Sequence, residues 1–319
     1  MIPQADLVRS LADRVTAHLL DPPTAEDPVV NYGSPTTIRD AFRASVPLEF
    51  LDDEPASGGA DLGAAVDELL TWSVATSHPR FVNQNFAGPD PVGVVGDWLG
   101  AALNTTGATF EVAPVFTLME HAVLDKLARL AGFPSTAAPD DPPPGMFCPG
   151  GSVGLLFALQ LARHRRDPQL TTRGSQGERQ AVFVSAAGHY SAGKAAAHRR
   201  HGTDAVVKVA AAADGARVPA ALAEPIAEAE IDGRTPLAVV ATAGTTVTGA
   251  YDPLAATAEI CRTRDIWLHV DGAYGGSALF SQRQRHRLDG VAHADSMVWD
   301  LHKMMGMTQQ CSVLLLQDP

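Results

Sequence analysis

Apolar residues recur at every fourth position near the start of the chain, at Leu7, Leu11, Val15 and Leu19, a spacing that predicts an amphipathic helix over residues 1–20. The apolar stripe suits packing on its own domain or on a partner subunit. Residues 21–62 are rich in Pro, Asp and Gly and predict irregular structure, with a short helix following over Ala64–Val74. From about residue 91 the texture changes. Helical patterns run through Val92–Leu103 and Val115–Leu130, and the Pro-rich segment Pro134–Gly145 reads as a loop. Beyond it, short apolar runs at Ala181–Ser185, Ala205–Val209, Leu237–Thr242, Ile266–Asp271, Ser296–Trp299 and Ser312–Leu316 read as strands. Helical patterns at Val153–Arg165, Ser191–Arg200, Pro219–Glu230 and Pro253–Arg264 alternate with them. Unbroken apolar strands separated by helices imply an α/β fold with a mostly parallel sheet buried on both faces. In such a fold, ligands sit at the carboxyl ends of the strands.

Composition narrows the picture. The chain has 319 residues, 45% of them hydrophobic, enough for a sizeable core, and the 19% of charged residues excludes a disordered chain. A net charge of −12 repels phosphate backbones and argues against nucleic-acid binding. No uncharged apolar run reaches membrane-spanning length, and no basic-then-apolar leader opens the sequence, so a cytoplasmic protein is expected. Cys148, Cys261 and Cys311 are too scattered for a disulfide framework or a zinc site, and no metal is expected. Only four lysines are present, Lys126, Lys194, Lys208 and Lys303, so lysine chemistry has few candidates.

Candidate chemistry stands mostly at the predicted strand ends. Cys148-Pro149-Gly150-Gly151-Ser152 precedes a helix, and paired glycines with a Ser at a helix start suit a phosphate seat, although an ordinary loop-to-helix turn has the same look. Gly188-His189-Tyr190-Ser191 places a His after a strand, where it can stack on a planar ring, move protons or simply face solvent. Thr242-Ala243-Gly244-Thr245-Thr246 offers small and hydroxyl side chains, as a plain turn also would. Asp271 ends the strand Trp267-Leu268-His269-Val270-Asp271; its carboxylate needs a partner, either a protonated pyridine nitrogen or the next turn. Asp300-Leu301-His302-Lys303 follows another strand, and a desolvated lysine there can form a Schiff base with an aldehyde, although a surface lysine is more common. Each signal is weak by itself. In this order they supply what pyridoxal phosphate needs: N–H donors for the phosphate, a stacking face, an acid for the ring nitrogen and a lysine for the aldehyde.

Dense motif matches from about His78 to Leu316 support a resemblance. They are His78-Pro79-Arg80-Phe81, Asn83-Gln84, Ala113-Pro114-Val115-Phe116, Pro149-Gly150-Gly151, His189-Tyr190-Ser191, Ala243–Thr246, Trp267–Asp271 and His302–Gly306. On these the sequence resembles the group II pyridoxal-phosphate-dependent amino-acid decarboxylases, in the branch holding glutamate, cysteine-sulfinate and aspartate decarboxylases. The resemblance implies the large domain of the type I pyridoxal-phosphate-dependent transferase fold at residues 76–319, after a dimer-packing segment at residues 1–75. It implies a homodimer with shared active sites and α-decarboxylation of a small, acidic L-amino acid. Lys303 would hold the cofactor covalently, Asp271 would pair with its ring nitrogen, and His189 would stack on the ring. His302 would lie beside the reacting lysine, with Gly150, Gly151, Ser152, Thr246 and Asp300 completing the cofactor contacts. Phe81, Asn83, Gln84 and Thr106 would line the substrate pocket, partly across the interface. Asp300-Leu301 departs from the family's usual Asn-Pro, which sets a carboxylate near the phosphate and blurs the substrate. The family also continues into a catalytic loop and a small C-terminal domain absent from these residues, so a truncated or split enzyme, completed by a second polypeptide, is expected. The same residues admit 2,4-diaminobutyrate as substrate, another reaction at Cα, or a cofactor-binding subunit without full activity.

Overall fold

The strands that carry the candidate chemistry are among the most deeply buried parts of the chain. A computed structural model describes residues 4–45, 61–83, 85–135, 142–174, 178–198 and 202–318. Its helices and strands run, in chain order, α1 (Gln4–Leu20), α2 (Pro35–Ser45), α3 (Leu62–Trp72), α4 (Pro91–Leu103), α5 (Pro114–Ala131), β1 (Gly145–Cys148), α6 (Gly151–Arg166), α7 (Leu170–Arg173), β2 (Gln180–Ser185), α8 (Ser191–His198), β3 (Val206–Val209), α9 (Ala223–Ile231), β4 (Thr235–Thr242), α10 (Leu254–Arg264), β5 (Trp267–Asp271), β6 (Ser296–Asp300) and β7 (Ser312–Leu316). The chain forms two units, one of Met1–Asn83 with Ala87–Val95, the other of Gln84–Phe86 with Gly96–Pro319.

In the first unit, Leu7, Leu11, Val15 and Leu19 are half-buried while most of their neighbours on α1 are exposed, as the fourfold spacing requires. Arg14 of α1 pairs with Asp67 of α3. Helix α2 corrects the expectation of irregular structure over residues 21–62. Ser34 accepts the Thr37 N–H at 3.1 Å and Pro35 stands at the first helical position, a start signal embedded in a Pro- and Asp-rich stretch. His78 is buried, with Nε2 2.9 Å from the Asp27 carbonyl and Nδ1 accepting the Arg80 N–H.

The second unit is built on a seven-stranded sheet in the order β1-β7-β6-β5-β4-β2-β3. Strands β3, β2, β4, β5 and β6 run parallel, and β7 is antiparallel to both β6 and β1. Strand β1 also corrects the sequence reading, because Gly145 opens a strand rather than closing a loop. The four-residue edge strand is only partly buried, and its apolar run Met146–Cys148 is shorter than those that mark the central strands. Strands β2, β5 and β6 are buried at every position, because helices cover both sheet faces.

The pleat divides the core in two. Phe183, Val239, Leu268, Val270, Met297 and Trp299 join Leu124, Ile226 and Leu254 of the helices on one face. Val182, Val184, Val240 and Trp267 pack with Leu155 and Leu159 of α6 on the other. Alternation therefore places Asp271 and Asp300, at the strand ends, on the α6 face. Two glycines one turn apart let α6 approach. A Cβ on Gly154 would meet Val298 Cγ2 at 2.5 Å, and one on Gly151 would meet both Asp300 carboxylate oxygens at 2.9 Å.

Candidate active site

The carboxyl ends of β4, β5 and β6 and the N-terminus of α6 surround a cavity of about 350 Å³. Register sets its floor: Thr242 pairs with Asp271 across β4–β5, and Asp300 lies opposite Ser312 across β6–β7. Gly150 takes φ +95°, a conformation open mainly to glycine, and turns the chain into α6. The N–H groups of Gly151 and Ser152, first in the helix, have no intrahelical acceptor and point the positive end of α6 into the cavity. Gly244, at φ +88°, lies where a Cβ would meet the Gly275 nitrogen at 2.9 Å, so the loop after β4 packs directly on the chain after β5.

The titratable groups hold one another. Burial pushes the Asp271 carboxyl above its ordinary value; the Ala273 N–H, donating to Oδ1 at 3.2 Å, and the nearby Lys303 and His189 pull it back, while Asp300 adds to the rise. Burial lowers His189, against the pull of Asp271. His189 Nδ1 accepts the Ser191 N–H at 3.3 Å, and the ring centroid lies 4.1 Å from that of Tyr190. With Nδ1 an acceptor, Nε2 is the nitrogen left to carry the ring proton. Lys303 Nζ lies 3.0 Å from Asp300 Oδ2, and Ser312 Oγ donates to Asp300 Oδ1 at 2.7 Å. His302 Nδ1 faces the Cys311 carbonyl at 2.9 Å, and its Nε2 is 3.9 Å from Asp300.

The loop after β4 is tied down from beneath. Asp252 accepts the Thr242 N–H at 2.9 Å and the Arg217 N–H at 2.7 Å, and its carboxylate pairs with the Arg217 guanidinium at 3.2 Å, both side chains fully buried.

Lys303, Asp271, His189, His302, Gly150, Gly151, Ser152, Thr246 and Asp300 all line this one cavity. Phe81 and Asn83 belong to the first unit, Gln84 lies outside the described residues, and Thr106 is exposed, its hydroxyl accepting the Ala108 N–H. The cavity adds residues that sequence reasoning did not single out as site residues: Asn85, Ser191, Tyr274 and Gln310. Ser191 stands within the His189-Tyr190-Ser191 motif, Asn85 directly follows Asn83-Gln84 and Tyr274 lies three residues beyond Asp271, but no spacing marks Gln310. A larger cavity of about 540 Å³ opens at the opposite strand ends. Its charges pair internally, Arg165 with Asp295 at 2.5 Å and Arg262 with Glu259 at 2.7 Å, and no lysine lines it. Chemistry, not size, makes the smaller cavity the candidate site.

Residues 52–319 match the family model described as the pyridoxal-dependent decarboxylase conserved domain. The chain is 47% identical to the human cysteine sulfinic acid decarboxylase over 251 residues, covering 78% of this chain and 50% of that protein. It is 44% identical to the mouse protein over 274 residues, covering 85% and 54%. The crystal structure of mouse CSAD in apo form superposes with a TM-score of 0.90 at 38% identity, covering 99% of this chain and 64% of that one. The glutamate decarboxylase domain of a diaminobutyrate-pyruvate transaminase and L-2,4-diaminobutyrate decarboxylase from Vibrio parahaemolyticus superposes at 0.85 with 26% identity, covering 98% and 67%. The chain spans about half the length of the curated relatives it matches. By the extent of the family match, the identity to these relatives and a shared sheet of type I architecture, the chain belongs to the pyridoxal-dependent decarboxylase family.

Proposed function

We propose that this chain binds pyridoxal 5'-phosphate and carries the cofactor half of an α-decarboxylase acting on a small acidic L-amino acid: aspartate, glutamate or cysteine sulfinate. The observation that carries the reading is the convergence of a lysine, a buried carboxylate and a helix N-terminus on one 350 Å³ cavity. The residues fit the cofactor. The α6 N–H groups suit an anion, the flat His189 ring suits a stacked heterocycle, and Asp271 is a buried carboxylate suited to a cationic ring nitrogen. When bound, the cofactor supplies an aldehyde that condenses with amines and a ring that accepts the electron pair of the breaking carbon–carboxylate bond.

The chain's own residues would do the rest. Lys303 would hold the aldehyde carbon covalently and release it to the substrate amine. Asp271 would keep a proton on the ring nitrogen, and the low polarity that raises its carboxyl strengthens that contact. Gly150, Gly151 and Ser152 would seat the phosphate, Thr246 would border the ring, and His302, fixed by the Cys311 backbone, would stand beside Lys303. The positioned groups need no reorganisation as charge develops. Asn85 and Gln310 would face the substrate from the cavity wall.

A second copy of this chain would cover the apolar faces of α4 and α5, where Leu99, Leu103, Val115, Leu118 and Met119 are all more than half exposed. The test of function is release of carbon dioxide from aspartate, glutamate, cysteine sulfinate and 2,4-diaminobutyrate by the chain with pyridoxal phosphate. Release from an acidic substrate supports the reading. Release from diaminobutyrate alone would move the substrate, and cofactor binding with no release from any of them would remove the reaction.

A further inference from the structure

Asp300 is the group in the cavity whose charge opposes an anion seat. It ends β6 at 2% exposure, and both carboxylate oxygens lie 2.9 Å from where a Cβ on Gly151 would stand, flush against the first turn of α6. A carboxylate there and a phosphate on the same N–H groups repel. In the structure Lys303 cancels the charge as an ammonium at 3.0 Å. An ammonium, however, has no lone pair with which to attack an aldehyde. The site therefore needs both charges to disappear together.

We propose that Asp300 accepts the Lys303 proton as the cofactor docks and, once neutral, donates a hydrogen bond to the phosphate seated on α6. This rests on the cofactor reading given above. In the first step one Nζ–H bond of Lys303 breaks and an O–H bond forms on Asp300, converting ammonium and carboxylate into amine and carboxylic acid. The amine nitrogen then forms a C=N bond to the aldehyde carbon, and the aldehyde oxygen departs as water with the two hydrogens remaining on nitrogen. The proton stays on Asp300, and no oxidant or reductant takes part.

Three features direct the transfer. Ser312 donates to Oδ1 at 2.7 Å, which leaves Oδ2, the oxygen facing Lys303, as the basic one. The His302 ring is held by the Cys311 backbone with Nε2 3.9 Å from Oδ2, whereas Lys303 Nζ is 3.0 Å from that oxygen, so Oδ2 has the lysine as its nearer partner. The other titratable groups acting on this corner are Asp271 on β5, His189 after β2, Cys148 on β1 and Cys311 before β7; burial pushes both thiols up, to about 12 and about 11, so they stay neutral. An Asp that becomes an acid offers the phosphate an O–H donor where an amide would offer an N–H.

The test is an infrared difference spectrum, loaded minus empty, of the full chain with pyridoxal 5'-phosphate. Borohydride reduction and peptide mapping of the same sample locate the adduct. The expected result is a gained carboxylic-acid carbonyl band in the wild type, absent from Asp300→Asn. In Ser312→Ala the band should persist but shift, since the hydrogen bond to Oδ1 is gone. A Lys303 adduct without the band in the wild type, or with an unchanged band in Asp300→Asn, overturns this proposal alone. Absence of any Lys303 adduct overturns the cofactor reading and this proposal with it.

Discussion

The Arg217–Asp252 pair allows a quantitative prediction that separates its two members. Both side chains are fully buried, and deleting one partner of a buried ion pair costs about 3–5 kcal/mol, because the other charge is left uncompensated. The two deletions are not equivalent here. Arg217→Met leaves Asp252 with its two backbone donors, from Thr242 and Arg217 itself, and fills the space with an apolar chain of similar length, so its loss should fall at or below the lower end of that range. Asp252→Ala strands the guanidinium and also orphans both N–H groups, each worth about 1–3 kcal/mol, so its loss should reach the upper end or beyond. The double variant removes the stranded charge and should be more stable than Asp252→Ala alone. Urea unfolding with matched slopes measures all three. Because Asp252 holds the end of β4 beside Asp271, Asp252→Ala should also weaken cofactor binding. A double variant less stable than Asp252→Ala, or an Arg217→Met as damaging as Asp252→Ala, would refute the reasoning.

Three further predictions concern the site and the core beneath it. Gly151→Ala suits the helical backbone there but should lower the melting temperature, because the new Cβ meets the buried Asp300 carboxylate. Its Cβ displaces the Asp300 carboxylate from its place between Ser312 and Lys303, and the loss of one contact to a charged group, worth about 1.5–3 kcal/mol, should drop cofactor affinity by fluorescence titration about ten- to a hundredfold. Folded Asp271 binds its proton more tightly than the unfolded chain, whose value is near 3.8, so its ionisation lowers stability as pH rises from there through the raised folded value. Asp271→Asn without cofactor should therefore be more stable than the wild type at neutral pH and equal to it well below pH 3.8, by denaturation midpoints; a less stable variant at neutral pH would contradict the buried-charge account. Burial pushes His269 down to about 3 from 6.5, so the unfolded chain takes up a proton that the folded chain refuses, and stability is lost as pH falls below 6.5 at about 1.4 kcal/mol per pH unit. His269→Gln should flatten that slope by one proton, and an unchanged slope would show that His269 is protonated in the fold.

The sequence showed most where burial is two-sided. Strands such as β2 and β5 read as unbroken apolar runs because helices cover both faces, and the residues ending β4, β5 and β6 stood out because polar groups interrupt those runs. Strand direction was hidden: Ser312–Leu316 is as apolar as its parallel neighbours, yet β7 runs against them, because an apolar run carries no polarity of its own. β1 was missed because a four-residue edge strand buries too little to leave a pattern. α2 was missed because Pro and Asp in the surrounding segment masked its Ser34-Pro35 start. In the site, the cofactor-facing candidates converged because each stood at a strand or helix end. Asn85 and Gln310 lie on irregular chain whose path only the fold determines.

The central claim is that Lys303, among four lysines, meets the cofactor aldehyde. The most direct measurement is borohydride reduction of the chain loaded with pyridoxal 5'-phosphate, followed by peptide mapping. The account predicts a single reduced adduct on Lys303, accompanied by the loss of the cofactor's visible absorbance. A label on Lys194, which lies with its ammonium 4.5 Å from the Tyr190 ring, or one spread over several lysines, would contradict it.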